Sequence, residues 1–358
     1  MALRVGIITS GGDCQSLNAT MRGLGKALYR SQREVTIIGF RDGFAGLMYN
    51  ESREMKPSEF SGLLTLGGTI LGTSRQSFKT IGEPDEYGND KVELMKSTYV
   101  RNQLDALVVL GGNGSLKTAN LLSREGLNVV ALPKTIDNDI YGTDLTFGFY
   151  SAVDIATEVI DCIHTTAASH GRVFIVEIMG HKVGWLTLLA GIAGGVDVIL
   201  IPEIPYNINS VCEDIRRRRK QDNKFSILAV AEGAMSVEEA AMSRKEYKEY
   251  LKSRPDPSVA YQIGHEIEKK INAEVRVTVP GHMQRGGSPS AYDRVIATRV
   301  GARGAQAVVE KDFGKLIAFD GDRLTTVVLD DIVDKLKYVP VDSPIIQEAR
   351  LVGIGFGD

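Results

Sequence analysis

Short runs of consecutive apolar residues recur along the chain, each cut off by glycine or a charged residue and followed by a stretch of helical periodicity. LRVGIIT (3–9), EVTIIGF (34–40), ALVVLGG (106–112) and NVVALPK (128–134) come first. RVFIVEIMG (172–180), VDVILIPE (196–203), FSILAVAEG (225–233) and EVRVTVPG (274–281) continue the series. Apolar runs without alternation predict strands buried on both faces. LNATMRGLGKALYRS (17–31) and LKTANLLSREG (116–126) read as helices between them. Strand alternating with helix predicts α/β architecture, with parallel sheets covered by helices. So many buried strands exceed one comfortable sheet, so two domains with parallel, helix-covered sheets are expected. IYGTDLTFG (140–148) is the most linker-like stretch, and the polar segment 236–258 reads as an exposed helix ending in a Pro-rich loop.

Open parallel sheets bind ligands at the carboxyl ends of their strands. The unusual residues of this chain stand at those ends: TSGGD (9–13), GGNGS (111–115), PKTIDND (133–139), EIMGH (177–181), AEGAM (231–235) and PGHMQRGGSP (280–289). Two of these are glycine turns that open onto helices. Backbone N–H groups and a helix N-terminus together suit a phosphate, although strand-to-helix turns also favour glycine for its own sake. LGGTILGTSR (66–75) is a third glycine-rich segment and ends in Arg75, a candidate phosphate clamp.

Asp137 and Asp139 follow a hydrophobic strand directly. An alcohol attacking phosphorus needs a carboxylate to take its proton and magnesium to offset phosphate charge, and these two acids suit those roles. Lys134 can hold a phosphoryl oxygen. An Asx-type turn with solvated acids is the competing account. Arg172, Arg276, His282 and Arg285 stand in or beside strand ends, either as an anion site for a sugar phosphate or as separate surface charges.

Composition narrows the class. The net charge of −3 argues against nucleic acid or an anionic membrane as the main partner, so any anion must meet a local positive cluster. RRRRK (216–220) reads as a solvated helix face. Cys14, Cys162 and Cys212 lack paired spacing, which suggests neither a disulfide framework nor zinc, and points to a reducing cytoplasm. No apolar run approaches the roughly 20 residues of a membrane helix.

Taken together, the motifs resemble those of the phosphofructokinase family. TSGGDCQSLNATMRG, GGTILGTSR, GGNGS, PKTIDND, EIMG, AEG and PGHMQRGGSPSAYDR occur in family order from residue 5 to about residue 303. The resemblance implies a glycolytic kinase that moves a phosphoryl group from Mg-ATP to the 1-hydroxyl of fructose 6-phosphate. It implies Asp137 as the base and Asp139 as a magnesium-linked acid, with Lys134 and Arg75 assisting catalysis. Gly12, Arg75, Gln76, Gly112, Asn113, Gly114 and Ser115 fall on phosphoryl-donor positions, and Asn113 shares the metal with Asp139. Thr135, Ile136, Asp137, Met179, Gly180, His181, Glu232, His282 and Arg285 fall on sugar-phosphate positions. Arg172 and Arg276 match arginines that reach the 6-phosphate from a neighbouring subunit, which implies a homo-oligomer, usually a tetramer. By the same resemblance, 1–147 and 284–333 form a donor domain, and 148–283 with 334–358 a sugar-phosphate domain.

Four positions depart from the family pattern. Asn113 stands where most members have Asp, His181 where arginine is usual, and Gln15-Ser16 where Pro-Gly is usual. On the donor, Gly114 leaves room for the α-phosphate of ATP, whereas Lys134 also occurs in users of pyrophosphate. Steric room is required for ATP while a lysine does not exclude it, so ATP is the expected donor and pyrophosphate the alternative. A different sugar phosphate as acceptor, or a non-catalytic subunit of the same fold, are the remaining alternatives.

Overall fold

Val5, Ile7, Val108, Val109, Val130 and Ala131 have no solvent exposure, as strands covered on both faces require. The structure is a computed structural model and describes residues 2–31, 34–221 and 224–358. The chain divides into two compact units, Met1–Ser151 with Arg285–Lys337, and Ala152–Gln284 with Tyr338–Asp358. The sequence expectation puts its domain boundaries at 147/148, 283/284 and 333/334.

In chain order the first unit begins with β1 (Leu3–Ser10), α1 (Leu17–Tyr29), β2 (Val35–Phe40), α2 (Phe44–Tyr49) and β3 (Ser52–Glu54). It continues with α3 (Lys91–Arg101), β4 (Ala106–Gly111), α4 (Asn113–Arg124), β5 (Val129–Thr135) and β6 (Phe147–Gly148). Next come α5 (Phe149–His170), β7 (Val173–Ile178), α6 (Trp185–Ala193), β8 (Val198–Leu200), α7 (Ile208–Lys220) and β9 (Ser226–Ala231). Then follow α8 (Val237–Ala240), α9 (Arg244–Ser253), α10 (Val259–Ile271) and β10 (Val275–Thr278). The chain closes with α11 (Ala291–Glu310), β11 (Lys315–Asp320), β12 (Arg323–Val328) and α12 (Pro344–Leu351).

The first unit holds a sheet of order β12-β11-β5-β4-β1-β2-β3, with β6 beside β5. Its interior pairs are parallel, whereas β3 and β12 run antiparallel to their neighbours. The all-parallel expectation is corrected at these two edges; between β11 and β12 the return of Gly321 and Asp322 leaves no room for a crossover helix. Ile8, Val109 and Ala131 pack on one face with Phe44, Met95 and Leu116 of α2, α3 and α4. On the other face Gly304 of α11 lies against Leu132. Helices α1 and α11 approach closely: a side chain on Gly23 would run into the Thr298 carbonyl, and one on Gly301 into the backbone of Thr20 and Leu24.

The second unit holds a parallel sheet of order β10-β7-β9-β8. Val173, Leu200, Leu228 and Val230 pack with Val211, Ile215, Ile263 and Ile267 of α7 and α10, and Gly191 of α6 covers Ile199 and Ala229 on the other face.

Two local expectations need correction. The stretch 140–148 is not a linker: Thr143, Thr146 and Phe147 are buried, and Phe147 pairs with Lys134 as part of β6. Its Gly-Tyr-Thr-Asp composition looked open because its polar groups are satisfied internally, the Thr146 hydroxyl donating to Thr135 O at 2.8 Å. The polar segment 236–258 holds two short helices, α8 and α9, each opened by a serine capping box.

Replacing Gly301 with valine forces α1 and α11 apart, because the new side chain meets backbone that cannot turn away. A loss of about 2 kcal/mol is expected from such overpacking, read as a lower urea midpoint with an unchanged slope.

Candidate functional site

The first glycine turn owes its shape to a loop some sixty residues away. Gly11 has φ +88°, a conformation that favours glycine. Its N–H donates to Ser74 O at 3.0 Å, the Thr73 hydroxyl donates to Gly11 O at 2.7 Å, and the Thr9 hydroxyl donates to Gly72 O at 2.7 Å. Asn18, in the first turn of α1, completes the clasp. Its amide donates to Leu66 O and Gly67 O, both at 3.1 Å, and its oxygen accepts from Ile70 N at 2.9 Å. Segment 66–75 is thereby fastened to the end of β1, which sets Arg75 and Gln76, next after Ser74, at the same edge as Gly12. Arg75 is exposed and Gln76 half-buried.

The second glycine turn leads straight into α4. Gly112 caps the helix without a side chain, so the N–H groups of Asn113, Gly114 and Ser115 lie at a helix start that no side chain closes. No atom lies within 4 Å of the place where a Cβ would stand on Gly114. The Ser115 hydroxyl donates to Ser10 Oγ at 3.0 Å, tying this turn to the end of β1.

Between the two turns sits the ammonium of Lys134, near the end of β5. Nζ is 3.4 Å from the Cβ position of Gly11 and 3.6 Å from that of Gly112. Only 4% of the residue is exposed, and burial pushes its pKa below the ordinary lysine range, with Asp137 and Asp139 among the opposing charges. Arg285 joins the cluster. Its guanidinium lies where a side chain on Gly12 would be, and Nη1 donates to Asp13 O at 3.1 Å. Glycine at 12 is therefore what lets the Arg285 guanidinium reach the turn, whereas a Cβ at 11 or 112 would stand in ordinary contact with the Lys134 ammonium.

The acidic turn follows on the same strand. Thr135 and Ile136 are buried, and the Thr135 hydroxyl accepts from Asp137 N at 3.0 Å. Asn138 takes φ +52° and is buried, its amide donating to Asp144 O at 3.3 Å. Asp139 O accepts from Lys337 N at 3.0 Å and from the Asn113 amide at 3.4 Å. The backbone is stitched by Thr135, Asn138, Asn113 and Lys337, and the two acids are half-buried. No group of three or more His, Cys, Asp or Glu side chains able to hold a metal occurs among the described residues. Asn113 meets Asp139 at its backbone carbonyl, and an amide oxygen and a carboxylate are donor types that magnesium takes beside phosphates and water.

In the second unit the structure brings Met179, Gly180, His181 and Glu232 together. Met179 N donates to the Gln284 oxygen at 3.1 Å, and His181 N donates to Glu232 Oε1 at 2.8 Å. Gly180 and His181 both have positive φ, and Gly233 packs on the His181 carbonyl. A cavity of about 560 Å3 opens here, lined by His181, Glu232, Glu203, Tyr247, Arg254 and Tyr338 among others. It does not include Arg172, Arg276 or His282. His282 is exposed in the turn Gly281–Arg285. Arg172 and Arg276 flank Glu274, which accepts from Arg172 Nε at 2.6 Å and pairs with Arg276 through its other oxygen. The two arginines hold the Glu274 carboxyl below the usual range.

Sequence reasoning missed two residues that hold the first unit's site. Asp293 is fully buried and accepts from the Ser16 and Ser151 hydroxyls, each at 2.6 Å, and from Gly148 N at 3.0 Å. Burial pushes its pKa up, against the weaker downward pull of those donors. Its place three residues after Ser290 disguises it as an ordinary helix-start acid, for its N–H does bond the Ser290 hydroxyl. Lys337 fastens the far side of the acidic turn, donating from Nζ to Thr143 O at 2.9 Å and Asp144 O at 2.8 Å.

The family model for phosphofructokinase matches residues 4–308 of the chain. An ATP-dependent 6-phosphofructokinase of Spirochaeta thermophila is 52% identical over 356 residues, covering 99% of this chain and 97% of that protein. Another, of Propionibacterium freudenreichii, is 46% identical over the full length of both. Among solved structures, Pichia pastoris phosphofructokinase in the T-state superposes with TM-score 0.80 at 32% identity, over 93% of this chain and 36% of that one.

Burial lowers the Lys337 pKa to about 8, against about 10.4 in an unfolded chain. Between those values the unfolded chain binds the extra proton, so this residue makes stability rise with pH above about 8. Urea midpoints followed from neutral to alkaline pH should show that rise in the parent and lose it in Lys337→Met.

Proposed function

Because the chain belongs to the phosphofructokinase family, we propose that it is an ATP-dependent 6-phosphofructokinase, which transfers the terminal phosphoryl group of ATP to the 1-hydroxyl of fructose 6-phosphate. The observation that carries this reading is the start of α4. An uncapped helix N-terminus with open space at Gly114 stands hydrogen-bonded, through Asn113, to the acidic turn of Asp137 and Asp139. An anion cradle and a candidate base are thus neighbours on adjacent strands.

Little reactivity is asked of the side chains, because phosphoryl transfer is mainly positioned and neutralised. The N–H groups of Asn113, Gly114 and Ser115 and the turn at Gly11-Gly12 receive donor phosphates, with Arg75 and Gln76 at the edge of that turn. Lys134 offsets charge on the phosphoryl oxygens. Asp137 takes the proton of the 1-hydroxyl as the new O–P bond forms and the bond to the departing ADP oxygen breaks. Asp139 and Asn113 are the residues that would hold magnesium, which would supply charge neutralisation there. Thr135, Ile136, Met179, Gly180, His181, Glu232, His282 and Arg285 bind the sugar phosphate. Arg172 and Arg276 serve the 6-phosphate of a second copy, so the working form is a homo-oligomer, a tetramer by family resemblance. No helix among the described residues is long and apolar enough to cross a membrane, and a glycolytic role places the enzyme in the cytoplasm.

Initial rates on fructose 6-phosphate with magnesium, using ATP or pyrophosphate side by side, test the donor. ATP should support turnover, and activity with pyrophosphate alone would overturn the assignment. Asp137→Ser should lower kcat by about 10^2- to 10^4-fold with the KM for sugar phosphate changed only several-fold; turnover at the parent's rate would remove Asp137 from the base role. Gly114→Asp fills the open space with a carboxylate, so it should impair ATP far more than pyrophosphate. Equal effects on the two donors would show that position 114 does not govern the choice.

A further inference from the structure

One wall of the cavity in the second unit is left idle by the reading above. His181 and Glu232 line it from the strand ends, while Tyr247, Leu251 and Arg254 line it from α9 and the residue that ends that helix. Core packing does not explain this wall, because α9 has no buried residue and holds itself with its own Ser243–Glu246 capping box. Something other than folding therefore accounts for an aromatic, an aliphatic and a guanidinium on one rim.

The charges inside the cavity are unevenly committed. Glu232 accepts from His181 N at 2.8 Å, and Glu203 accepts from Gly184 N at 3.0 Å and Val339 N at 2.9 Å. Both acids are thus engaged by backbone donors. Arg254 is half-buried and, among the described residues, enters no salt bridge. A guanidinium without a carboxylate partner, in a concave site with carboxylates and phenol hydroxyls around it, suits a polyhydroxylated anion. The acids and phenols meet hydroxyls, and the planar fork meets phosphate or hydroxyl oxygens in pairs.

We propose that Arg254 binds the acceptor sugar phosphate directly, and that the α9 wall with Tyr247 and Leu251 decides which sugar phosphate fits. This rests on the assignment of His181 and Glu232 to the sugar site. Lysine at 254 keeps the charge but not the fork, so it is a partial substitute.

Steady-state kinetics of the intact protein test it, with fructose 6-phosphate varied at saturating Mg-ATP and then ATP varied at saturating sugar. Arg254→Gln should raise the KM for fructose 6-phosphate about tenfold, as expected for one lost charge-assisted bond. The kcat should stay within about threefold and the KM for ATP should not move. Arg254→Lys should fall between the two. As a readout independent of turnover, the rise in melting temperature that fructose 6-phosphate gives the parent should shrink in Arg254→Gln. A sugar KM within twofold of the parent, or an equal rise in both KM values, would overturn the proposal. A parent protein that does not turn over fructose 6-phosphate at all would sink the sugar-site reading as well, whereas an active parent with an indifferent Arg254→Gln would sink this inference alone.

Discussion

A single buried carboxylate ties together parts of the first unit that lie far apart in sequence. Asp293 receives the hydroxyl of Ser16 at the entry to α1, that of Ser151 in α5, and the N–H of Gly148 at the end of β6. An isolated ion could not remain there, because removing a carboxylate from water is expensive unless donors surround it. Three donors and a helix start do surround it. Ser16 closes the loop that begins at the first glycine turn, and Gly148 ends the strand beside the acidic turn. The positions of the first glycine turn and the acidic turn therefore rest on one shared anchor.

From that anchor outward the construction is economical. Gly11 takes the left-handed turn, Asn18 fastens segment 66–75, Arg285 fills the space that a side chain on Gly12 would have taken, and Lys134 stands beside both turns. The parallel strands β1, β4 and β5 supply the common edge on which these pieces meet.

Much of this was legible in the sequence because it is local. Uninterrupted apolar runs mark doubly covered strands, and the residues that break those runs mark the edge where chemistry collects. What escaped depends on distant partners. Strand β12 alternates, and its residues are exposed or half-buried, so it lacked the continuous apolar signature of the interior strands. Segment 140–148 looked like a linker because its threonines are polar, yet Thr143 and Thr146 spend that polarity inside the fold. Asp293 and Lys337 act on residues more than a hundred positions away, and nothing in their neighbours announces it. Arg254 was likewise silent, since a polar helix reads as solvated until a cavity is found behind it.

Lys134 has one more consequence. A cation enclosed by glycine backbone, with its pKa depressed by burial, is held in a state the folded chain tolerates but does not favour. Any anion that settles on the two glycine turns relieves that condition, and what binds only the folded form shifts the folding equilibrium by mass action. An anion bound there would therefore add to the chain's resistance to unfolding as well as occupy the turns.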